Sequence, residues 1–167
     1  MLIKQRNELF DLKIPKSFKI VYIWGKGLGL LANKNFKKGD TVLPLRGKLV
    51  DVSIATPEAI QVSENKFIDT KYLVAEDFVN HSCSPNTTAD TTKRKFTAIK
   101  DIYKNQEITF NYNTTEFDIK RFGGEFDCLC ESKNCLKSIK GFKYLTVAQK
   151  KKLKPFLTPF LYSKLPK

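Results

Sequence analysis

Arginine is scarce in this 167-residue chain: four of its 30 basic residues are arginine and the other 26 are lysine. Bidentate recognition of phosphates and base edges leans on the forked guanidinium. The formal charge of +13 therefore reads first as a solvated lysine surface and second as a face for nucleic acid or a nucleosome, with Lys150, Lys151, Lys152 and Lys154 its densest cluster. Long apolar runs are also missing. A spanning helix needs roughly 20 consecutive apolar residues, and no stretch comes near that, so no membrane partner is expected. The first sixteen residues carry Lys4, Arg6, Glu8, Asp11, Lys13 and Lys16 with no apolar run behind them, which argues against a secretory leader and for an intracellular protein. Internal repeats and low-complexity linkers are absent too, leaving one domain with a C-terminal extension. There is one histidine, His81, and cysteine is confined to Cys83, Cys128, Cys130 and Cys135. Without a secretion signal, such a cluster reads as a metal site or a catalytic group before it reads as disulfides.

With 41% hydrophobic and 12% aromatic residues, the chain has enough apolar side chain for a folded core. The pattern of that apolar content is mainly β. Phe18, Ile20, Tyr22 and Trp24 alternate with Lys19, Val21 and Ile23, predicting a strand, and three glycines in 25–29 break it before a returning strand over 28–32. Short strands are expected over 41–45, 48–52, 66–69, 95–99 and 107–112, with a loop or short helix between Asn113 and Asp127 where Gly123-Gly124 interrupts. Thr146-Val147-Ala148-Gln149 fits a capping box that opens a short helix, which Pro155 and Pro159 limit.

Three of the cysteines lie within eight positions, as Cys128-Leu129-Cys130, four residues, then Cys135. Zinc takes four thiolate or imidazole ligands in a tetrahedron. One loop supplies three, and the fourth is either Cys83 or His81. Four protein ligands close the sphere, which describes a structural ion. Reduced cysteines more often behave as small buried hydrophobes, but Glu131, Ser132, Lys133 and Asn134 make this loop too polar for that. A Cys83–His81 nucleophilic pair is conceivable, but nothing in the sequence orients the base.

Read in order, Gly25-Lys26-Gly27-Leu28-Gly29, Asn80-His81-Ser82-Cys83-Ser84-Pro85-Asn86, Glu107-Ile108-Thr109-Phe110-Asn111-Tyr112 and the Cys-x-Cys-x4-Cys loop resemble a SET-domain protein-lysine methyltransferase with a post-SET zinc motif. The resemblance covers roughly residues 18 to 142. It implies a mainly β, β-clip-like fold of small curved sheets. In it the Asn80–His81 segment and the strand ending at Tyr112 make a pseudoknot-like crossing. It divides the chain into an N-terminal extension (1–17), the SET domain (18–113), a post-SET zinc segment (114–142) and a helical tail (143–167).

Several roles follow from the resemblance. Cys83 joins Cys128, Cys130 and Cys135 on zinc, pinning the C-terminal segment over the active site. Lys26, Gly27 and Leu28 line the site for S-adenosylmethionine, Asn80 and His81 bind it, and Tyr72 lies beside them. Gly27 and its neighbours would let backbone approach the donor closely, an ordinary hairpin turn being the lesser alternative. Tyr112 is the catalytic tyrosine, and Phe110 sets product multiplicity by leaving room for di- or trimethylation. The substrate is a protein with an exposed lysine, such as a histone tail, in a groove whose acidic walls would be Glu116, Asp118, Glu125 and Asp127. The compartment implied is the nucleus and chromatin in a eukaryotic or viral setting and the cytoplasm in a bacterial one, with a secreted effector as a further alternative. The chain departs from the pattern in three places. It has no cysteines before residue 18, it has Glu76-Asp77-Phe78 where an arginine often precedes the Asn-His motif, and it has only a short insert between Val52 and Phe67. A zinc-stabilised nucleic-acid-binding module without catalysis would explain the cysteines and lysines, but not Asn80-His81 or Tyr112.

Overall fold

The structure is a computed structural model that describes residues 12–123 and 125–166. Most of the N-terminal extension, with Lys4, Arg6, Glu8 and Asp11, and Gly124 of the expected Gly-Gly break, therefore lie outside the described residues. The fold is built from short strands. β1 (Phe18–Ile23) and β2 (Gly27–Ala32) form an antiparallel hairpin whose register runs from Phe18↔Ala32 to Ile23↔Gly27. Its tight turn uses Gly25 and Gly27 at φ +74 and +82, a region open to glycine because it has no Cβ. β3 (Thr41–Pro44), β4 (Lys48–Asp51), β5 (Ile60–Gln61), β6 (Lys66–Asp69) and β7 (Asn80–His81) follow. After them come β8 (Thr87–Asp90), β9 (Lys95–Ala98), β10 (Thr109–Phe110), β11 (Phe126–Asp127) and β12 (Ser138–Ile139). They make two three-stranded sheets, β3-β9-β8 and β4-β6-β5, and three two-stranded ones.

The core lies between these sheets, with Leu30, Leu43, Phe96, Ile102 and Ile108 at most 1% exposed. The stretch 106–112 runs through it and positions the site. On one side it bonds β2, through Ala32 N to Gln106 O (2.9 Å) and Ile108 N to Leu30 O (2.7 Å). On the other, β10 pairs in parallel with β7, Thr109 opposite Asn80 and Phe110 opposite His81. These pairings bring two motifs about thirty residues apart side by side, as the expected crossing requires.

One expectation needs correction and two gain detail. The strand read over 107–112 narrows to Thr109–Phe110. Asn111 accepts from Asn113 N and caps a 3-10 turn, Tyr112–Thr114, because a short polar side chain competes with the strand ladder for backbone N–H groups. The loop or short helix expected after Asn113 is this turn plus a second, Ile119–Phe122. Pro159 does more than stop a helix. The capping box at Thr146 and Gln149 opens α1 (Val147–Leu153), and Pro159 starts α2 (Pro159–Ser163), where its fixed φ suits the first turn. Among the described residues no helix is long and apolar enough to cross a membrane.

Candidate active site

The hairpin turn, β7 and the cysteine loop meet around a cavity of ≈ 440 Å³. Gly25 and Lys26 come from the turn, Asn80 and His81 from β7, and Phe126, Asp127 and Leu129 from the cysteine loop. Glu107 binds the first two groups together. Its Oε2 meets Lys26 Nζ at 2.7 Å, and its Oε1 accepts from Asn80 Nδ2 at 3.0 Å. Asn80 Nδ2 also donates to Leu28 O (3.2 Å). A Cβ on Gly29 would crowd Ile23 Cδ1 and lie 2.7 Å from Asn80 Nδ2 and 3.2 Å from Glu107 Oε1, so a larger residue there would displace the Asn80–Glu107 pair. Gly27 is different: a Cβ there meets nothing within 4 Å, and its requirement is the turn's positive φ. Neither Gly27 nor Leu28 lines the cavity; they hold the turn that does. Tyr72 stands apart, 57% exposed under the Lys71 ammonium (5.2 Å) and off the cavity wall.

A second cavity, of ≈ 250 Å³, shares Tyr112 with the first. Its lining mixes apolar side chains, among them Val79, Phe96 and Phe110, with five carboxylates, Glu58, Asp69, Glu76, Asp77 and Glu116, against a single cation, Arg46. Arg46 is committed to Glu76 through its backbone N–H (3.1 Å) and its guanidinium (2.8 Å). Asp69 accepts from Thr56 N, Thr56 Oγ1 and Thr70 N at 2.8, 3.0 and 2.7 Å. Glu116 accepts from Gln61 N at 3.0 Å, and burial pushes it up to about 7. Of the other expected acidic walls, Asp127 belongs to the first cavity. Asp118 bonds Lys143 (3.1 Å) and Tyr144 Oη (3.2 Å), and Glu125 pairs with Lys120 and Lys140. Neither Asp118 nor Glu125 lines a cavity, because nearby lysines hold both at the surface.

Tyr112 is fixed from all sides. Its hydroxyl donates to Val79 O (3.1 Å), and its ring lies 4.8 Å from Phe110, 5.2 Å from His81 and 5.9 Å from Phe126, centroid to centroid. Burial, then the negative charges of Glu107, Glu58 and Glu116, raise its value further, so the hydroxyl keeps its proton and acts as a donor. His81 Nδ1 accepts from Tyr112 N (3.1 Å), which leaves the ring proton on Nε2, 3.4 Å from Cys83 Sγ. Burial and Lys26 bring the imidazole down to about 4, so it is neutral at pH 7. A nitrogen that carries a proton cannot take one from the thiol. Burial also raises Cys83 to about 11. A Cys–His nucleophile therefore fails on tautomer and on thiol together.

The four cysteines converge beside the first cavity, with all ligand sulfurs within 4.8 Å of one another and Cys83 Sγ 3.9 Å from Cys128 Sγ. A tetrahedral ion with metal–sulfur bonds of about 2.3 Å spaces its sulfurs by about 3.8 Å, so the donor set fits one ion. Backbone N–H groups point at the sulfurs, each at 3.4 Å: Cys83 N at Cys130, Leu136 N at Cys83 and Lys137 N at Cys135. Burial opposes a charge on Cys130, but donation from Ser132 and Cys83 wins and brings it to about 6. Burial keeps Cys128 high, so an ion would have to displace that proton. His81 lies outside this set, and the fourth sulfur is that of Cys83.

Sequence reasoning missed Gly25, Phe126 and Leu129 as cavity walls and Glu107 as the residue that ties the turn to β7. Glu107 stood in a quoted motif, but nothing local shows that its carboxylate reaches Lys26.

A mainly β fold of small sheets, a tyrosine between two cavities and four thiols beside one of them define a compact class of site. The family model for the SET domain matches residues 27–113, more than half of the 167, and the chain belongs to that family. An H3 lysine-36-specific histone-lysine N-methyltransferase from Candida albicans is 26% identical over 157 residues, covering 81% of this chain and 18% of its own. An H3 lysine-4-specific one from Aspergillus oryzae is 30% identical over 164 residues, covering 81% and 12%. The chain thus spans less than a fifth of either relative. Among solved structures, KRYPTONITE in complex with mCHH DNA, an H3(1–15) peptide and SAH superposes with a TM-score of 0.61 at 20% identity, over 72% of this chain and 29% of that one. At that identity the likeness speaks for the fold.

Proposed function

We propose that this chain is a protein-lysine N-methyltransferase that uses S-adenosylmethionine and carries one structural zinc ion. The observation that carries the reading is Tyr112 standing in the wall of two cavities, one bounded by Lys26, Asn80 and His81 and the other acid-lined. Methyl transfer is an in-line displacement, so donor and acceptor must approach from opposite sides of one aperture. The donor supplies a methyl group activated by a sulfonium. Gly25, Lys26, Asn80 and His81 hold it, joined by Phe126 and Leu129, while Gly27 and Leu28 shape the turn that presents Lys26; Tyr72, off the cavity wall, has no part. The structure of KRYPTONITE with SAH and an H3 peptide supports this choice of donor and substrate.

The acid-lined cavity takes the lysine. On a protein of charge +13, five carboxylates around one cavity attract a cationic side chain that the rest of the surface repels. Tyr112 orients the amine through its hydroxyl, and Phe96 and Phe110 exclude water. Phenylalanine at 110 leaves room for methyl groups already added, so the product is di- or trimethyllysine. Zinc on Cys83, Cys128, Cys130 and Cys135 holds Phe126 and Leu129 over the donor. Residues 18–113 then form the catalytic unit, 114–142 its metal-held roof and 143–167 a helical tail. Substrates are histone tails or other proteins with an accessible lysine, and the working compartment is chromatin. Lys151, Lys152 and Lys154, exposed on and after α1, offer a face to nucleosomal DNA.

Calorimetry with S-adenosylmethionine, then methyl transfer to core histones and lysate proteins, tests the reading. Tyr112→Phe should keep donor binding and lose roughly 10²–10³-fold in kcat, the usual cost of one hydrogen bond that acts in the transition state. Unchanged turnover in that variant would remove Tyr112 from the chemistry. Exclusively monomethylated product at exhaustion would refute the role given to Phe110.

A further inference from the structure

A lysine that attacks a sulfonium must first become neutral, and its ordinary value is about 10.4, so its proton has to go somewhere. Of the five carboxylates around the acid-lined cavity, four have other duties or stand in water. Glu76 holds Arg46, Asp69 takes three hydrogen bonds, Asp77 accepts from Val74 N (3.0 Å), and Glu58 is exposed. Glu116 is different. It is 9% exposed, shares the cavity wall with Phe110 and Tyr112, and stands one turn beyond Tyr112, whose carbonyl accepts from Glu116 N at 2.8 Å. Its own carbonyl accepts from Phe142 N at 2.9 Å. With Gln61 N on Oε1, the residue is anchored by its backbone and by one carboxylate oxygen.

We propose that Glu116 receives the proton of the incoming lysine ammonium. This inference rests on the methyltransferase reading. An N–H bond of the ammonium breaks, its electron pair stays on nitrogen, and the proton goes to a carboxylate oxygen of Glu116. The neutral amine then takes the methyl group, the sulfonium becomes a neutral thioether, and the product is a methylated ammonium. Glu116 passes its proton to water at the cavity mouth, and the methylated ammonium can give up a proton the same way in the next round.

The surroundings suit the exchange. Burial raises Glu116 to about 7, near neutral pH, where proton transfer in both directions is efficient. The charges facing it come from several elements. Arg121, over the Phe67 ring at 4.3 Å, lowers it from the turn Ile119–Phe122. Tyr112 stays neutral above it, and Glu58, Asp69, Asp77 and the Glu76–Arg46 pair line the remaining walls.

The test is the pH dependence of kcat/KM for Glu116→Gln, with radiolabelled S-adenosylmethionine and core histones as probes. The glutamine can still accept from Gln61 N, and zinc content and donor affinity serve as controls for folding. Wild type should lose activity below about pH 7 as Glu116 is protonated. The variant should run roughly 10²-fold slower at pH 7 and recover steadily toward pH 9–10, where solvent deprotonates the lysine. Glu116→Asp should restore part of the rate and the neutral limb. A variant profile parallel to wild type, lower by the same factor at every pH, would overturn the proposal while leaving the methyltransferase reading in place. A wild-type protein with no turnover at any pH would overturn both.

Discussion

The sheets of residues 18–113 and the cysteine loop of 126–139 are held together by different forces. In the first, Leu30, Phe67, Phe96, Ile102 and Ile108 are at most 1% exposed, and apolar burial offsets the entropy of ordering the chain. In the second, Phe126 and Leu129 are 37% and 47% exposed, and of its side chains only Cys128 and Ile139 are buried. A ladder of two residues in each strand cannot hold such a loop in water. Its three thiols, with Cys83 from the first region, could do so through one ion. One region rests on apolar burial, and on the proposed reading the other rests on a metal held by four thiols.

The largest effect should come from removing that metal. Apparent zinc affinities at such sites are worth roughly 10–16 kcal/mol. Chelation or Cys128→Ser should therefore abolish donor binding while amide exchange at Leu30 and Ile108 stays slow. Donor affinity that survives chelation would break the comparison. Leu30→Ala does the reverse, costing about 2–5 kcal/mol in denaturant unfolding while the folded variant keeps one zinc. Glu116→Gln sharpens the comparison through pH. Its folded value of about 7 lies above the ordinary 4.5, so the wild-type fold loses stability as pH rises from 4.5 to 7 and stays penalised above it. Thermal melts at pH 8 should find the variant more stable by about 3 kcal/mol, and the gain should vanish at pH 4. Glu107→Gln should act least, because it removes a charge partner of Lys26 and leaves the Asn80 amide one acceptor. A donor Kd weaker by roughly tenfold, about 1.4 kcal/mol, with zinc and melting temperature unchanged, is the expected result.

Much of the fold was legible where the signal is local. The alternation in 18–24 gave β1, and the capping box at Thr146 gave α1. The two-residue strands β5, β7, β11 and β12 were not legible, since two residues carry no period. They exist because distant segments reach them. The site divides the same way. The Asn-His-Ser-Cys and Cys-x-Cys-x4-Cys motifs pointed to the thiols that converge, but the acidic wall was read as four residues, of which the fold places Glu116 and Asp127 on cavities and leaves Asp118 and Glu125 to surface lysines.

By itself, the sequence determined what covalent spacing and side-chain chemistry can carry: the glycine turn, the thiols, a tyrosine at a strand's end, a mainly β chain. Only the tertiary structure decided that Glu107 reaches Lys26 across 81 positions, that Gln61 anchors Glu116 across 55, and that Tyr112 stands between two cavities. Those outcomes depend on contacts between segments far apart in the chain, and a buried carboxylate takes its character from neighbours that the residues beside it in sequence do not specify.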